Sequence, residues 1–282
     1  MGNQALLFLC LLALFFLQSN TLASKAAGFE ASLEHSYDPC SPLGPQHWGT
    51  LQESWAMCAS RPEGMQSPIS IKPSNIHNTH LGKLLKYYTE APARLLNMGH
   101  EIMVSWTESP GVLLLNGKIF HLRQCHWHTP SEHELFGIRY PLELHIVHTT
   151  SESTPKKAVI GVLFEYGGKA DPFLGKLGGA LNELNELNVT SLDVGSIYPP
   201  VVGDEETYFR YNGSVTSPPC SEPVIWTVMK EVVRSVTEEQ VELLRAPVNH
   251  TDNARPTQPL NGRKVYFSDP FYEQKEEGNA SS

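Results

Sequence analysis

The dipeptide Asn116-Gly117 separates two runs of β-forming residues, Val112 to Leu115 and Lys118 to His128. A two-residue turn that matches the twist of paired strands needs positive φ at both positions, and Asn-Gly adopts that with little strain. The second run is therefore the return strand of an antiparallel hairpin. Ile102 to Trp106, bounded by Gly99 and Pro110, is another β-rich run, and so are Leu142 to Val147, Ala158 to Phe164 and Val224 to Met229. Helical signals are few. Asp171 to Leu187 carries Phe173, Leu174, Leu177, Leu181 and Leu184 on a 3.6-residue stripe. Thr237-Glu238-Glu239-Gln240 fits a capping box opening a short helix through Leu244. The pattern predicts a mainly β (α+β) fold, a single domain built on a large, mostly antiparallel central sheet with peripheral short helices.

Composition agrees. At 282 residues with 40% hydrophobic and 18% charged residues, the chain is globular in kind and long enough to bury a large core. Twenty-one Lys+Arg against 30 Asp+Glu leave a formal charge of −9. There is no basic footprint, which argues against nucleic acid or an anionic membrane surface as a partner. No repeat or linker divides the chain.

The ends are of a different character. Ala5 to Leu17 is an unbroken apolar run followed by Gln18-Ser19-Asn20 and small residues at Thr21 and Ala23. It is too short for a bilayer span and fits the apolar core of a signal peptide, residues 1–24, although the leader MGNQ lacks Lys or Arg. No other stretch is long enough to cross a membrane. Residues 25–36 read as a loose segment, 37–270 as the folded domain and 271–282 as a disordered tail. Beyond Cys10 in the leader, the cysteines are Cys40, Cys58, Cys125 and Cys220. Their spacing does not suit a zinc ribbon, and one or two disulfides in an oxidising compartment is the better reading. Asn188, Asn212, Asn249 and Asn279 begin glycosylation tripeptides, in keeping with export.

Half of the 12 histidines lie between positions 121 and 148. In a strand, His126 and His128 point to one face. His145, in the run Leu142 to Val147, can be presented to the same point by a neighbouring strand. Three imidazoles from two strands leave a fourth coordination position open, as a catalytic zinc requires. Gln124 and Glu143 each precede a histidine of this set by two residues and can accept its second N–H. A His-x-His pair by itself is also common on solvated strand faces.

The segment Gln124-Cys125-His126-Trp127-His128-Thr129-Pro130-Ser131-Glu132-His133, followed by Glu143-Leu144-His145, resembles the zinc site of the α-class carbonic anhydrases, plant secretory type. Gln66-Ser67-Pro68-Ile69, Gly213 to Cys220 and Asn253 to Arg263 resemble further blocks of that family in the same order. The similarity runs from about Tyr37 to about Val265. It implies reversible hydration of carbon dioxide to bicarbonate and a proton by zinc-bound hydroxide, with one Zn2+ per chain. The implied ligands are His126, His128 and His145, supported by Gln124 and Glu143. Thr216 would donate its hydroxyl proton to Glu132 and so accept from the hydroxide. His100 would be the proton shuttle. Val147, Val159, Val215, Val224 and Trp226 would form the apolar wall for carbon dioxide, with Thr216 and Ser217 at the substrate. Cys58 and Cys220 match the disulfide of secreted members.

Some positions depart from the family's usual residues. Ser217 replaces a common Thr and keeps the hydroxyl, Val215 replaces Leu, and Met98 replaces a common Asn near His100. Cys125 falls on the strand face opposite the ligands and reads as core, and Cys40 has no implied partner. The alternative from a different class of function is a catalytically weak storage or carbohydrate-binding relative on the same fold. Export favours a secreted protein, and delivery to vacuole or chloroplast by way of the secretory route is the alternative. Oligomeric state is not legible.

Overall fold

The Asn116-Gly117 turn has φ of 52° and 70°, the two positive values that its dipeptide favours, and places Leu115 opposite Lys118. The structure, a computed structural model, describes residues 35–202, 207–230 and 234–272. The expected leader, nearly all of segment 25–36, Asn279 and all but two residues of the expected tail lie outside them. From Ser36 onward the described residues form one compact unit.

Its centre is a 13-stranded mixed sheet. The middle of the sheet runs, neighbour to neighbour, through Ala91–Asn97, Ile102–Trp106, Lys118–His128, Leu142–Thr149, Lys157–Tyr166, Val224–Met229 and Tyr208–Gly213. Pairing is mostly antiparallel, as expected. The exceptions are Lys157–Tyr166, parallel to Val224–Met229 and Arg234–Val236, and Val265–Ser268, parallel to Ile76–Thr79.

The two faces of this sheet bury different things. One face carries Leu142, Leu144, Ile146, Ala158, Ile160 and Val162 into the larger core, which also takes the stripe of the Pro172–Glu186 helix. Asp171 caps that helix by accepting from the N–H groups of Phe173 and Leu174. Its own N–H and C=O pair with Gln240, the capping-box residue of the Glu238–Arg245 helix, so the two helix starts are fastened together. The other face carries Val159, Leu163, Val224 and Trp226 into a second apolar cluster.

The Lys118–His128 strand serves both faces by changing phase. Val147 pairs with Gln124 but His148 pairs with Leu122, so Arg123 is an extra residue, a β-bulge. Before it, Phe120 and Leu122 face the larger core; after it, Cys125 and Trp127 do. Gln124, His126 and His128 are thereby turned to the opposite face. No helix among the described residues is long and apolar enough to cross a membrane.

Cys58 and Cys220 form the disulfide, with Cα atoms 5.0 Å apart. Cys125 is a buried thiol and Cys40 an exposed one. The bridge spans 162 residues of sequence. On the chain-entropy account, closing so long a loop in the unfolded state contributes about 5 kcal/mol. Cys58→Ser should therefore lower guanidinium unfolding stability by several kcal/mol, and a loss below about 1 kcal/mol would contradict that account.

Candidate metal centre

His126 lies directly opposite His145 on the neighbouring strand, and His128 opposite Glu143. The ring centres are 5.1 Å apart for His126 and His128, 5.2 Å for His126 and His145, and 4.6 Å for His128 and His145. One nitrogen of each ring converges on a common point, all within 4.8 Å of one another. The remaining nitrogens are engaged. His126 Nδ1 donates to Gln124 Oε1 at 2.8 Å, His128 Nδ1 to the Asn253 carbonyl at 2.7 Å, and His145 Nε2 to Glu143 Oε1 at 2.8 Å.

These bonds fix the tautomers. With the second nitrogen of each ring donating, the converging atoms, Nε2 of His126 and His128 and Nδ1 of His145, carry lone pairs. His128 Nε2 is buried and has no hydrogen-bond partner within the protein. Burial is the main cause that lowers the pKa of all three imidazoles below the ordinary value of 6.5, so they are neutral at neutral pH. A neutral three-nitrogen set around an orphaned buried acceptor fits a divalent cation with zinc's preference for imidazole and an open fourth position.

Glu143 organises the site. Its Oε2 accepts from the backbone N–H groups of Glu132 and His133, both at 2.8 Å, and its Oε1 accepts from His133 Nδ1 at 2.6 Å as well as from His145. Burial opposes its ionisation, but His133 and His145 and their hydrogen bonds outweigh burial and hold the carboxyl well below the usual range. His133, Glu143 and His145 also form a compact cluster of metal-ligand type. There the polar atoms are already bonded to one another, and His133 Nε2 goes on to Tyr211 Oη at 2.7 Å. This is a supporting network beside the three imidazoles.

Glu132 is fully buried, and its Oε2 sits 3.6 Å from His128 Nε2. Its Oε1 accepts from the Arg255 N–H at 2.9 Å, and the Thr216 hydroxyl also bonds to the carboxyl. Burial pushes its pKa up to about 8 in the absence of a cation, against the pull of Thr216 and Arg255. Val159, Val224 and Trp226 form one apolar cluster with Val147 and Val215 packed against it, and the Trp226 ring lies 4.8 Å from the His145 ring. Ser217 is half-buried at the adjoining turn, where its carbonyl accepts from the Cys220 N–H.

His100 follows Gly99, whose φ is 85°, and is half-buried against the Tyr37 ring at 5.9 Å. Burial lowers its pKa, Glu101 opposes this, and His128 adds to it. The structure thus gathers the predicted imidazoles, Glu132, Thr216 and the valine wall into one region. Sequence reasoning gave no role to Asn253, Arg255, His133, Tyr211 or Glu101, whose Oε2 lies 3.9 Å from His126 Nε2. Of these, Asn253, Arg255 and His133 lay inside the quoted blocks, yet a backbone acceptor leaves no mark on residue type. Asn188, Asn212 and Asn249 are exposed.

A sheet that presents three neutral imidazoles beside an apolar wall makes a candidate metal site of the open kind. A family model described as eukaryotic-type carbonic anhydrase matches residues 43–269. Alpha carbonic anhydrase 7 of Arabidopsis thaliana is 38% identical, over 95% of this chain and 97% of its own. Dioscorin DB3S of Dioscorea polystachya is also 38% identical, over 95% of this chain and 96% of its own. Among solved structures, a dioscorin complexed with ascorbate superposes with a TM-score of 0.79 at 37% identity, over 84% of this chain and 98% of its own. The alpha-carbonic anhydrase of Thermovibrio ammonificans, with the inhibitor sulfanilamide, gives 0.71 at 35% identity, over 83% of this chain and 98% of its own. This chain belongs to the eukaryotic-type, α-class carbonic anhydrase family.

The shifted groups predict how the metal-free protein responds to acid. Folded His126, His128, His145 and Glu143 all have pKa values below their ordinary 6.5 and 4.5. The unfolded chain therefore takes up protons that the folded chain refuses, and stability falls as pH drops below 6.5 and again below 4.5. Glu132, raised to about 8, acts oppositely: its contribution is complete below 4.5 and is lost as pH rises through 8. His100 and His148 are lowered as well and Glu101 is raised like Glu132, so five imidazoles outweigh two carboxyls and the thermal midpoint in chelator should fall from pH 7 to pH 5, with a shallower fall in His128→Asn. A midpoint that stays level or rises would contradict this balance.

Proposed function

We propose that this protein catalyses the reversible hydration of carbon dioxide to bicarbonate and a proton, with one Zn2+ held by His126, His128 and His145. The observation that carries the reading is the orphaned, buried Nε2 of His128 facing two further imidazole lone pairs, each ring oriented by an acceptor behind it. Zinc bound by three neutral imidazoles supplies the chemistry by lowering the pKa of its water to about 7.

The protein's own groups do the rest. Carbon dioxide is apolar and offers little to grip, so a wall of Val147, Val159, Val215, Val224 and Trp226 suits it. Glu132, held by the Arg255 N–H, accepts from Thr216. The Thr216 oxygen can then only accept from a donor at the open position, which aims that donor's lone pair at the wall. A cation beside the three imidazoles would favour the ionised form of Glu132. Gln124, Glu143 and the Asn253 carbonyl keep the three rings in place. Ser217 lines the substrate side of Thr216. His100 accepts the proton that each turnover releases and passes it to solvent; burial lowers its pKa from the usual imidazole value and so favours the neutral, accepting form.

The disulfide and the exposed Asn188, Asn212 and Asn249 support passage through the secretory pathway, with Asn279 as a further glycosylation position. A secreted protein is the first reading of its destination; vacuole or chloroplast reached by that path is the second. The likeness to dioscorin DB3S keeps a weakly catalytic relative as the competing reading. Stopped-flow hydration separates the two: rapid turnover abolished by a zinc chelator supports the enzyme, and turnover indifferent to chelation sinks it. His128→Ala should lower zinc content and hydration together, and full zinc content with full turnover in that variant would remove His128 from the ligand set.

The proton transfer has its own signature. His100→Ala should lower kcat in dilute buffer and leave kcat/KM nearly unchanged, because the proton departs after bicarbonate. Concentrated imidazole should restore much of the loss, since a diffusing base replaces a tethered one. Unchanged kcat in dilute buffer would reduce His100 to a loop residue.

A further inference from the structure

The Tyr208–Gly213 strand turns Phe209 and Tyr211 toward the cluster beside the histidines and Arg210 and Asn212 to the opposite side of the sheet. On that side lies a cavity of about 410 Å3. Its polar lining includes three cations, Arg210, Arg263 and Lys264, and no carboxylate, on a chain whose net charge is −9.

Arg210 is only 9% exposed. Its Nε donates to Thr227 Oγ1 at 2.9 Å and its guanidinium lies 4.9 Å over the Tyr208 ring, yet Nη2 is buried without a hydrogen-bond partner. A buried guanidinium lacking a counter-charge is costly, and proteins keep one where an anion completes it. Arg263 is immobilised by donating to the carbonyls of Leu260, Asn212, Gln66 and Pro259, so its charge is fixed in place, with Glu222 as a charged neighbour that is not part of the cavity lining. Lys264 is exposed and free to reach over the cavity. Leu81 and Tyr266, each about two-fifths exposed, and Ile225 supply apolar walls. A volume of this size accommodates a ring or short chain as well as a charged group.

We propose that this cavity binds a small organic carboxylate, its charge set among Arg210, Arg263 and Lys264 and its apolar body against Leu81, Ile225 and Tyr266. The site lies outside the imidazole cluster, although Tyr211, which also lines the cavity, meets His133, and occupancy does not depend on metal. An inorganic anion would satisfy the cations but leave the apolar walls unused, so the carboxylate's body is what gives the site its preference.

Methionine methyl groups report on it directly. Met65 lines the cavity, while Met103 sits opposite His126 in the sheet and senses the metal centre. The protein carrying 13C-methyl methionine is titrated with benzoate and, separately, with inorganic phosphate, with Met65→Leu used to assign the signal. We expect the Met65 shift to saturate with benzoate while Met103 does not move over the same range. Phosphate should bind at least tenfold more weakly, and both Lys264→Ala and Arg210→Gln should weaken benzoate at least tenfold. Because Lys264 is exposed, its variant tests the site even if Arg210→Gln fails to fold. A Met65 shift that grows without saturating, saturation indifferent to Lys264→Ala, phosphate binding as tight as benzoate, or a response confined to Met103 would each overturn the proposal.

Discussion

One buried carboxylate holds the centre of this molecule together. Glu143 accepts from two backbone N–H groups of the 132–133 turn, from His133 and from His145. An ionised carboxylate with no water is tolerable only when its lone pairs are used, and here four donors use them. The consequence is geometric. The turn that carries Glu132 is tied to the strand that carries His145, so the acidic partner of Thr216 and one of the three converging imidazoles move as a unit. Gly161, opposite His145, keeps the space open: a Cβ there would lie 3.0 Å from Glu143 Oε1.

A second buried ion extends this order outward. Arg255 donates its backbone N–H to Glu132 and its guanidinium to Gln66 Oε1 and to the carbonyls of Ser67 and Cys58. It thereby links the Glu132 carboxyl to the disulfide and to the 66–67 segment. Ser67 in turn meets Tyr211 and the Ser214 N–H, and Tyr211 meets His133. Gly213 fits among these groups with no room to spare, since a Cβ would come within 2.8 Å of both Trp226 and Tyr211. The polar scaffold is thus a closed circuit, and the apolar wall leans against it.

What could be read from the sequence follows from the range of the signal. The Asn116-Gly117 turn, the stripe from Phe173 to Leu184 and the capping box at Thr237 depend on residues a few positions apart, and all appear as expected. His126 and His128 share a face because strands alternate, which is again local. Which face that would be depended on the bulge at Arg123, visible only once the partner strand is known. In hindsight the apolar positions change parity, from Phe120 and Leu122 to Cys125 and Trp127. The acceptor for His128 was beyond reach for a different reason: it is a main-chain carbonyl more than a hundred residues away, and any residue could provide it. Arg210 gave no signal either, because an arginine in a strand looks solvent-facing until its neighbours cover it.

The distance between His128 and Asn253 also sets an order of events. A ribosome delivers the imidazole strands long before the segment from Asn253 to Arg263, and that segment holds the last acceptor and the last buried cation of the circuit. Until it docks, the ring of His128 has no fixed tautomer and Glu132 lacks its backbone donor. Nascent chains therefore cannot carry a finished centre, and any metal they meet encounters loose imidazoles. Completion waits on the C-terminal stretch, which acts as the closing clasp of a structure whose working parts were made first.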